Sequence, residues 1–308
     1  EGYALNTFLV AEDVPDSWDN WDLDADIADK WRDCAKLLSR SVVSCGAIEL
    51  RIRSEYQLTK KSSLQQDMVF YSKDRKIGFE TVMNWQDDHR FLKAAFDTSV
   101  QSRFARNEVQ FGYIERATYR NTSWEKAKFE VSNHKYTDLS EPGYGVAVLN
   151  DCKYGVSVEN GRIWLSLHKG GCRPDYRGDK GIHECTYALL PHNSGFGAEA
   201  VVQPAYELNI APIVMPGKKE LESFVTVDAP NVIVEAVKPM EDGNGYALRL
   251  YEAEGTSVRT KIHLTETGEK VMLTNLLEEE IETLPDEKEI ALEFKPFEIK
   301  TICVLMKQ

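Results

Sequence analysis

The chain has 308 residues, 42% of them hydrophobic and 28% charged, an ordinary globular mixture with room for one large β domain and a small one. A formal net charge of −13 argues against a nucleic-acid partner, because phosphate binding wants a basic face, and the acidity reads as solubility. No apolar run approaches the ~18 residues that a bilayer span needs, so no membrane partner is expected.

The chain opens on Glu1 rather than Met and runs directly into Tyr3-Ala-Leu-Asn-Thr-Phe-Leu-Val, with no targeting sequence ahead of it. This start reads as an excised or processed chain whose missing chemistry would lie upstream. An acidic, Trp-rich segment follows from Val14 to Trp31. Its Trp18-Asp-Asn-Trp-Asp22 cluster, with Asp24, Asp26 and Asp29, suits a brief helix or turn. A weak period of 3.6 across 28–38 is the one helical signal of useful length. From Cys45 the period becomes two. Ile48, Leu50 and Ile52 alternate with Glu49, Arg51 and Arg53, which predicts a half-buried strand.

Similar runs follow at 68–71, 76–82, 90–96 and 108–113, with Ser72-Lys73-Asp74 as a hairpin turn. Next come 144–149, 155–158 and 163–167. Asn160-Gly161 between the last two predicts a type I′ hairpin, whose two central residues both need positive φ. The punctuation of Ala211-Pro-Ile-Val-Met-Pro-Gly217 marks a boundary. Beyond it, strand-like runs at 224–227, 232–237, 245–251, 258–264, 290–294 and 299–306 suit a small separate sandwich. Glu278-Glu-Glu and Asp286-Glu-Lys-Glu read as solvated loops or sheet edges. The predicted fold class is all-β, a sandwich or barrel architecture of short strands. Residues 1–215, with a short N-terminal lead, form the large domain, and 216–308 the small sandwich.

Self-sufficient chemistry is missing from the motifs. There is no Walker loop, dinucleotide glycine fingerprint, H-E-x-x-H or G-x-S-x-G. The histidines are dispersed at His89, His134, His168, His183, His192 and His263, and His183-Glu184 lacks the second histidine of a helical zinc site. Each reads as a hydrogen-bonded structural residue, so no complete metal site is expected here. Cys34, Cys45, Cys152, Cys172, Cys185 and Cys303 form no C-x-x-C pair and read as reduced thiols of a cytoplasmic protein. Asn121-Thr-Ser is formally a glycosylation acceptor but carries little weight alone. Retaining glycoside chemistry wants two carboxyl groups ~5 Å apart, which sequence spacing does not deliver.

Three segments join a β run to a dense polar–aromatic cluster. They are Glu115-Arg116 to Trp124, Tyr144 to Gly155, and Arg173-Pro-Asp175 to His192. Such mixtures suit sugars, whose hydroxyls take hydrogen bonds and whose C–H faces stack on rings. The plainer reading is that Asp151 and Lys153 brace a turn with Tyr154 packed over it.

The stretch Tyr144-Gly-Val-Ala-Val-Leu-Asn-Asp-Cys-Lys-Tyr-Gly155 closely resembles glycoside hydrolase family 38, the class II α-mannosidases. So do Thr122-Ser-Trp124, Gly181-Ile-His-Glu-Cys-Thr-Tyr-Ala-Leu-Leu-Pro-His192, and the tail stretches 234–253 and 294–300. The segment 14–22 is similar to the strand that leaves the family's three-helix bundle. The resemblance spans essentially the whole chain and is closest to the cytosolic and bacterial branch. It implies a large antiparallel supersandwich, galactose-mutarotase-like, followed by a small β-sandwich. It further implies that a preceding α/β barrel supplies the zinc ligands, nucleophile and acid/base carboxylate of a retaining mechanism. No catalytic or metal residue is therefore carried onto this chain. No cofactor is expected in it, and zinc is expected in the full-length enzyme. The implied partners are mannose-containing glycans and the N-terminal catalytic barrel of the same polypeptide. Asp151, Lys153, Tyr154, Arg173 and Asp175 are expected on carbohydrate-binding loops facing that barrel. An autonomous carbohydrate-binding module is the alternative. A mutarotase-type enzyme would need a converging histidine–glutamate pair, which His183-Glu184 cannot supply, since neighbours on a strand face opposite sides.

Overall fold

Successive side chains of an extended chain point to opposite faces, so every second residue of an alternating run can be buried. The computed structural model describes residues 4–217 and 222–306, and Glu1 and Tyr3 lie outside the described residues. The chain divides into two compact units. One holds Glu1–Val109, Ile114–Phe196 and Gln203–Ala211; the other holds Gln110–Tyr113, Gly197–Val202 and Pro212–Gln308.

The first unit contains β1 (Thr7–Glu12), β2 (Arg32–Asp33), β3 (Lys36–Cys45), β4 (Glu49–Gln57) and β5 (Ser63–Tyr71). It continues with β6 (Ile77–Trp85), β7 (Arg90–Asp97), β8 (Phe104–Val109), β9 (Gly112–Ala117, from Ile114 on) and β10 (Val131–Ser132). The last are β11 (Tyr136–Glu141), β12 (Tyr144–Asn150), β13 (Gly155–Glu159), β14 (Arg162–Lys169) and β15 (Gly181–His192). They form a six-stranded sheet, β10-β13-β14-β7-β1-β2, and a nine-stranded sheet, β3-β4-β5-β6-β15-β12-β11-β8-β9. Leu92, Ala94 and Phe96 of β7 and Ile163 and Leu165 of β14 share one core with Phe79, Met83, Val146, Val148 and Tyr187 from the larger sheet. This face-to-face packing of two antiparallel sheets is what the period-two pattern asks for. Asn160 and Gly161 turn β13 into β14 at φ 48° and 82°. A Cβ at Gly161 would stand 2.8 Å from the carbonyl oxygen of Thr98, so glycine is required there twice over.

Two sequence expectations are corrected. The weak helical period over 28–38 is not a helix: a single 3-10 turn spans Ala25–Asp29, and from Lys36 the chain is strand β3. Its ladder with β4, reinforced by Arg40 donating to Ser54 Oγ and Tyr56 Oη at 2.9 Å each, outweighs a marginal helical pattern. The run 108–113 is not one strand either. It breaks between β8 and β9, where Phe111 takes φ 61°.

Two short helices, α1 (Ser123–Ala127) and α2 (Gln203–Asn209), are minor features. Thr122 and Glu125 form a reciprocal capping box that starts α1. Among the described residues, no helix is long and apolar enough to cross a membrane.

The second unit contains β16 (Val225–Val227), β17 (Val232–Pro239), β18 (Gly245–Glu252), β19 (Val258–Leu264), β20 (Lys270–Thr274), β21 (Glu280–Leu284), β22 (Glu289–Phe294) and β23 (Ile299–Leu305). Sheets β16-β19-β22 and β17-β18-β23-β20-β21 close on a core that includes Leu248, Leu250, Ile262, Val271, Ile290 and Ile302. The acidic run at Glu278 leads into β21, an exposed edge strand. Glu252, fully buried, accepts hydrogen bonds from the backbone N–H groups of Glu254, Gly255, Thr256 and Phe297 at 2.8–3.1 Å. A buried carboxylate is tolerable only when satisfied in this way.

Candidate functional site

The six-stranded sheet has a second, outward face. Ala11 and Phe91 on that face pack with Ile27, Leu23, Trp31 and Phe129, so the leading segment and the stretch after α1 lie across it. Between them opens a cleft of about 550 Å³, walled by Trp21, Asp22, Phe91, Phe129, Lys153, Tyr154, His168 and Lys169.

The turn between β12 and β13 brings Lys153 and Tyr154 to this wall. Asn150, fully buried, fixes the turn: its Oδ1 accepts from the Lys153 N–H at 2.8 Å, and its Nδ2 donates to Asn133 Oδ1 and to the His134 carbonyl at 2.9 and 2.5 Å. Tyr154 lays its ring against His134, 4.7 Å between centroids. Asp151 Oδ2 accepts from the Thr186 N–H at 2.9 Å and ties the turn to β15; Asp151 does not line the cleft.

The far end of β14 supplies His168 and Lys169. A register shift against β7 between Ser166 and His168 is the kind of bulge that re-aims a side chain. His168 is 8% exposed, its ring 4.9 Å from that of Trp85 and 4.4 Å from that of His183. Burial pushes its pKa down to about 3, with His183 and Lys153 adding repulsion, so the imidazole is neutral near pH 7. Its Nε2 is buried and finds no hydrogen-bond partner within the protein. Lys169 Nζ donates to the carbonyls of Asp19 and Asp22 and lies 3.1 Å from Asp13 Oδ2, pinning the leading segment to the rim. Burial still raises the Asp13 pKa, against the opposing pull of Lys169.

A smaller pocket of about 150 Å³ adjoins, sharing Phe129 and Glu130 with the cleft. Lys93, 1% exposed, donates there to Glu130 and to Ser157 Oγ at 2.7 Å, under the rings of Trp31 and Phe91 at 5.4 and 5.3 Å. Burial lowers the Lys93 pKa, and Glu130 opposes the shift. Ser166 Oγ also donates to Glu130.

Arg173 and Asp175 are exposed on the loop between β14 and β15. The Arg173 N–H donates to Asp19 Oδ1 at 2.6 Å and the Asp175 N–H to Asn20 Oδ1 at 3.0 Å. The structure thus brings Lys153 and Tyr154 together in the cleft. It places Arg173 and Asp175 on a neighbouring loop stitched to the residues just before Trp21, and leaves Asp151 as a brace. Sequence reasoning did not single out His168, Lys169 or the Lys93–Glu130 pair. The only signal was polar residues inside β7 and β14 where alternation alone would be satisfied by any side chain.

Chemically, the cleft offers aromatic faces and a lysine donor, the equipment for holding a polyhydroxylated ligand, while the unpartnered His168 Nε2 is itself buried. Glu130 is engaged by Lys93 and Ser166, so it is not free for acid/base work. Asp22, Glu130, Cys152 and His168 also line this wall, but among the described residues they do not converge as a group of metal donors, so it offers no ready zinc site.

Comparison with known proteins then gives the following. The description "Glycosyl hydrolases family 38 C-terminal domain" matches residues 2–177, and "Glycosyl hydrolases family 38 C-terminal beta sandwich domain" matches residues 231–302. Human alpha-mannosidase 2C1 is 35% identical over 319 residues, covering 100% of this chain and 31% of that protein. Alpha-mannosidase G of Dictyostelium discoideum is 32% identical over 316 residues, covering 98% of this chain and 29% of that one. The chain therefore spans about 30% of the length of these relatives. The crystal structure of an α-mannosidase from Enterococcus faecalis V583 superimposes with a TM-score of 0.79 at 15% identity, covering 97% of this chain and 38% of that one, which establishes a shared fold.

Proposed function

This chain belongs to glycosyl hydrolase family 38, and from that premise we propose that it serves as the C-terminal β region of a retaining α-mannosidase acting on mannose-containing glycans. The observation that carries the reading is the order of the two family matches, C-terminal domain over 2–177 and then β-sandwich over 231–302. We assign 1–215 to a supersandwich domain and 216–308 to a small sandwich. The catalytic barrel and its zinc are assigned to a preceding segment of the same polypeptide. Six cysteines, all free, support a cytoplasmic setting.

In this reading the chain's own residues bind and orient rather than break bonds. Tyr154 and Trp21 offer ring faces to sugar C–H groups, and Lys153 donates to a hydroxyl. Arg173 and Asp175 extend the same surface, and Asp151 keeps the turn in place. The supporting feature is four aromatic rings, Trp21, Phe91, Phe129 and Tyr154, lining one cleft with the Lys153 ammonium.

Steady-state kinetics of the complete enzyme carrying Tyr154→Ala or Lys153→Ala test this. The expected result is KM raised roughly tenfold at little cost in kcat, the pattern of lost uniform binding. Unchanged kinetics in both variants would remove the cleft from the sugar path.

A further inference from the structure

Three donor atoms of different chemistry meet where the leading segment, the β6–β7 turn and the loop after β14 converge. Asp19 is 4% exposed, and its Oδ1 is occupied by the N–H groups of Cys172 and Arg173 at 2.9 and 2.6 Å. That leaves Oδ2, which lies 3.0 Å from His89 Nδ1. Both atoms are buried and make no hydrogen bond, and their contact is an ion pair only when His89 is protonated. Cys172 Sγ completes the group, and the three donor atoms all lie within 4.8 Å of one another. Without that proton on His89, the two buried atoms have no partner, and a buried polar atom calls for one. A cation bound by both supplies it.

We propose that Asp19, His89 and Cys172 form a binding site for a divalent transition-metal ion, zinc foremost, with a fourth position open to water. Thiolate, imidazole and carboxylate together select zinc over magnesium or calcium, which want all-oxygen shells. Tetrahedral bonds of roughly 2.0–2.3 Å hold donors roughly 3.3–3.5 Å apart, so Asp19 Oδ2 and His89 Nδ1 move slightly apart from their 3.0 Å while the Cys172 side chain rotates inward. The thiol loses its proton as the metal–sulfur bond forms, and the proton leaves to solvent past the half-exposed His89 ring. Asp88 Oδ1 then gives up the Cys172 Sγ–H that it accepts at 3.3 Å and keeps Lys180 at 2.5 Å. The carboxylate and thiolate neutralise the ion. Such an ion clamps three segments distant in sequence and fixes the loop that carries Arg173 and Asp175. The inference uses nothing of the sugar-cleft reading and stands or falls apart from it.

The test is a cobalt titration of the chelator-stripped 308-residue chain, followed by near-ultraviolet and visible absorption. Expected are sulfur-to-cobalt charge-transfer and d–d bands that saturate at about one equivalent, with the ion displaced by zinc. Cys172→Ser abolishes the charge-transfer band, and His89→Gln weakens cobalt binding roughly tenfold or more, as loss of a ligand should. Circular dichroism confirms that each variant is folded, and either variant alone suffices. Absence of a charge-transfer band in the unaltered chain, or a band that persists unchanged in both variants, overturns the proposal.

Discussion

His168 is enclosed by Trp85 and His183, and enclosure rather than sequence neighbours sets its chemistry. Its folded pKa of about 3 lies below the unfolded value of 6.5, so the folded state binds fewer protons between those two values. The stability it contributes is present above pH 6.5 and is lost as pH falls through that window. The loss approaches ~1.4 kcal/mol per pH unit, about 2 kcal/mol between pH 7 and 5. Urea unfolding at these two pH values measures it, and His168→Gln should flatten the dependence. An equal slope in the variant would mean that other groups carry it. None of this was legible in the sequence, because a lone histidine in a strand looks the same whether buried or exposed. Lys93 is similar. Its place in Phe-Leu-Lys-Ala-Ala-Phe fits a half-buried strand, and only the fold reveals Glu130 above it. Lys153 and Tyr154 were legible because polar and aromatic residues crowd one turn, and crowding is visible in one dimension.

Strands whose burial alternates were readable, as were the turns that join them: Asn160-Gly161 needs positive φ, and its sequence declares it. Strand β3 was not readable, because its apolar residues do not alternate into a core. Leu37, Leu38, Val42 and Val43 are all exposed, on the open edge of the nine-stranded sheet. The hydrophobic pattern therefore carried no register information, and the apolar positions Ala28, Trp31, Ala35 and Leu38 ahead of and at the start of β3 mimicked a helix face. A long apolar edge is a template for pairing with another chain. The expected outcome is concentration-dependent self-association of the 308-residue chain, reduced by Val42→Lys with Leu38→Lys. Light scattering across a dilution series checks this, and identical profiles would show that the edge is already protected. Strand β15 was hidden differently. Its Gly181–His192 run reads as a chemical cluster, yet its backbone is the central rung between β6 and β12.

At the scale of the whole molecule, the chain is two sandwich units built from four antiparallel sheets. The family resemblance in Asn150-Asp-Cys-Lys-Tyr-Gly155 now has a physical basis. Asn150 satisfies its buried amide by organising that turn, and Asp151 fastens it to β15. A run that shapes the backbone leaves a recognisable sequence, whereas a cleft assembled from five separate segments does not. In the cleft, Glu130 is held by Lys93 and Ser166, so it does not stand free as half of an acid/base pair. The most direct test is to incubate the purified 308-residue chain with zinc and p-nitrophenyl α-mannoside and follow nitrophenol release. The account predicts no release above the buffer rate. Saturable, chelator-sensitive turnover by this chain alone would contradict it.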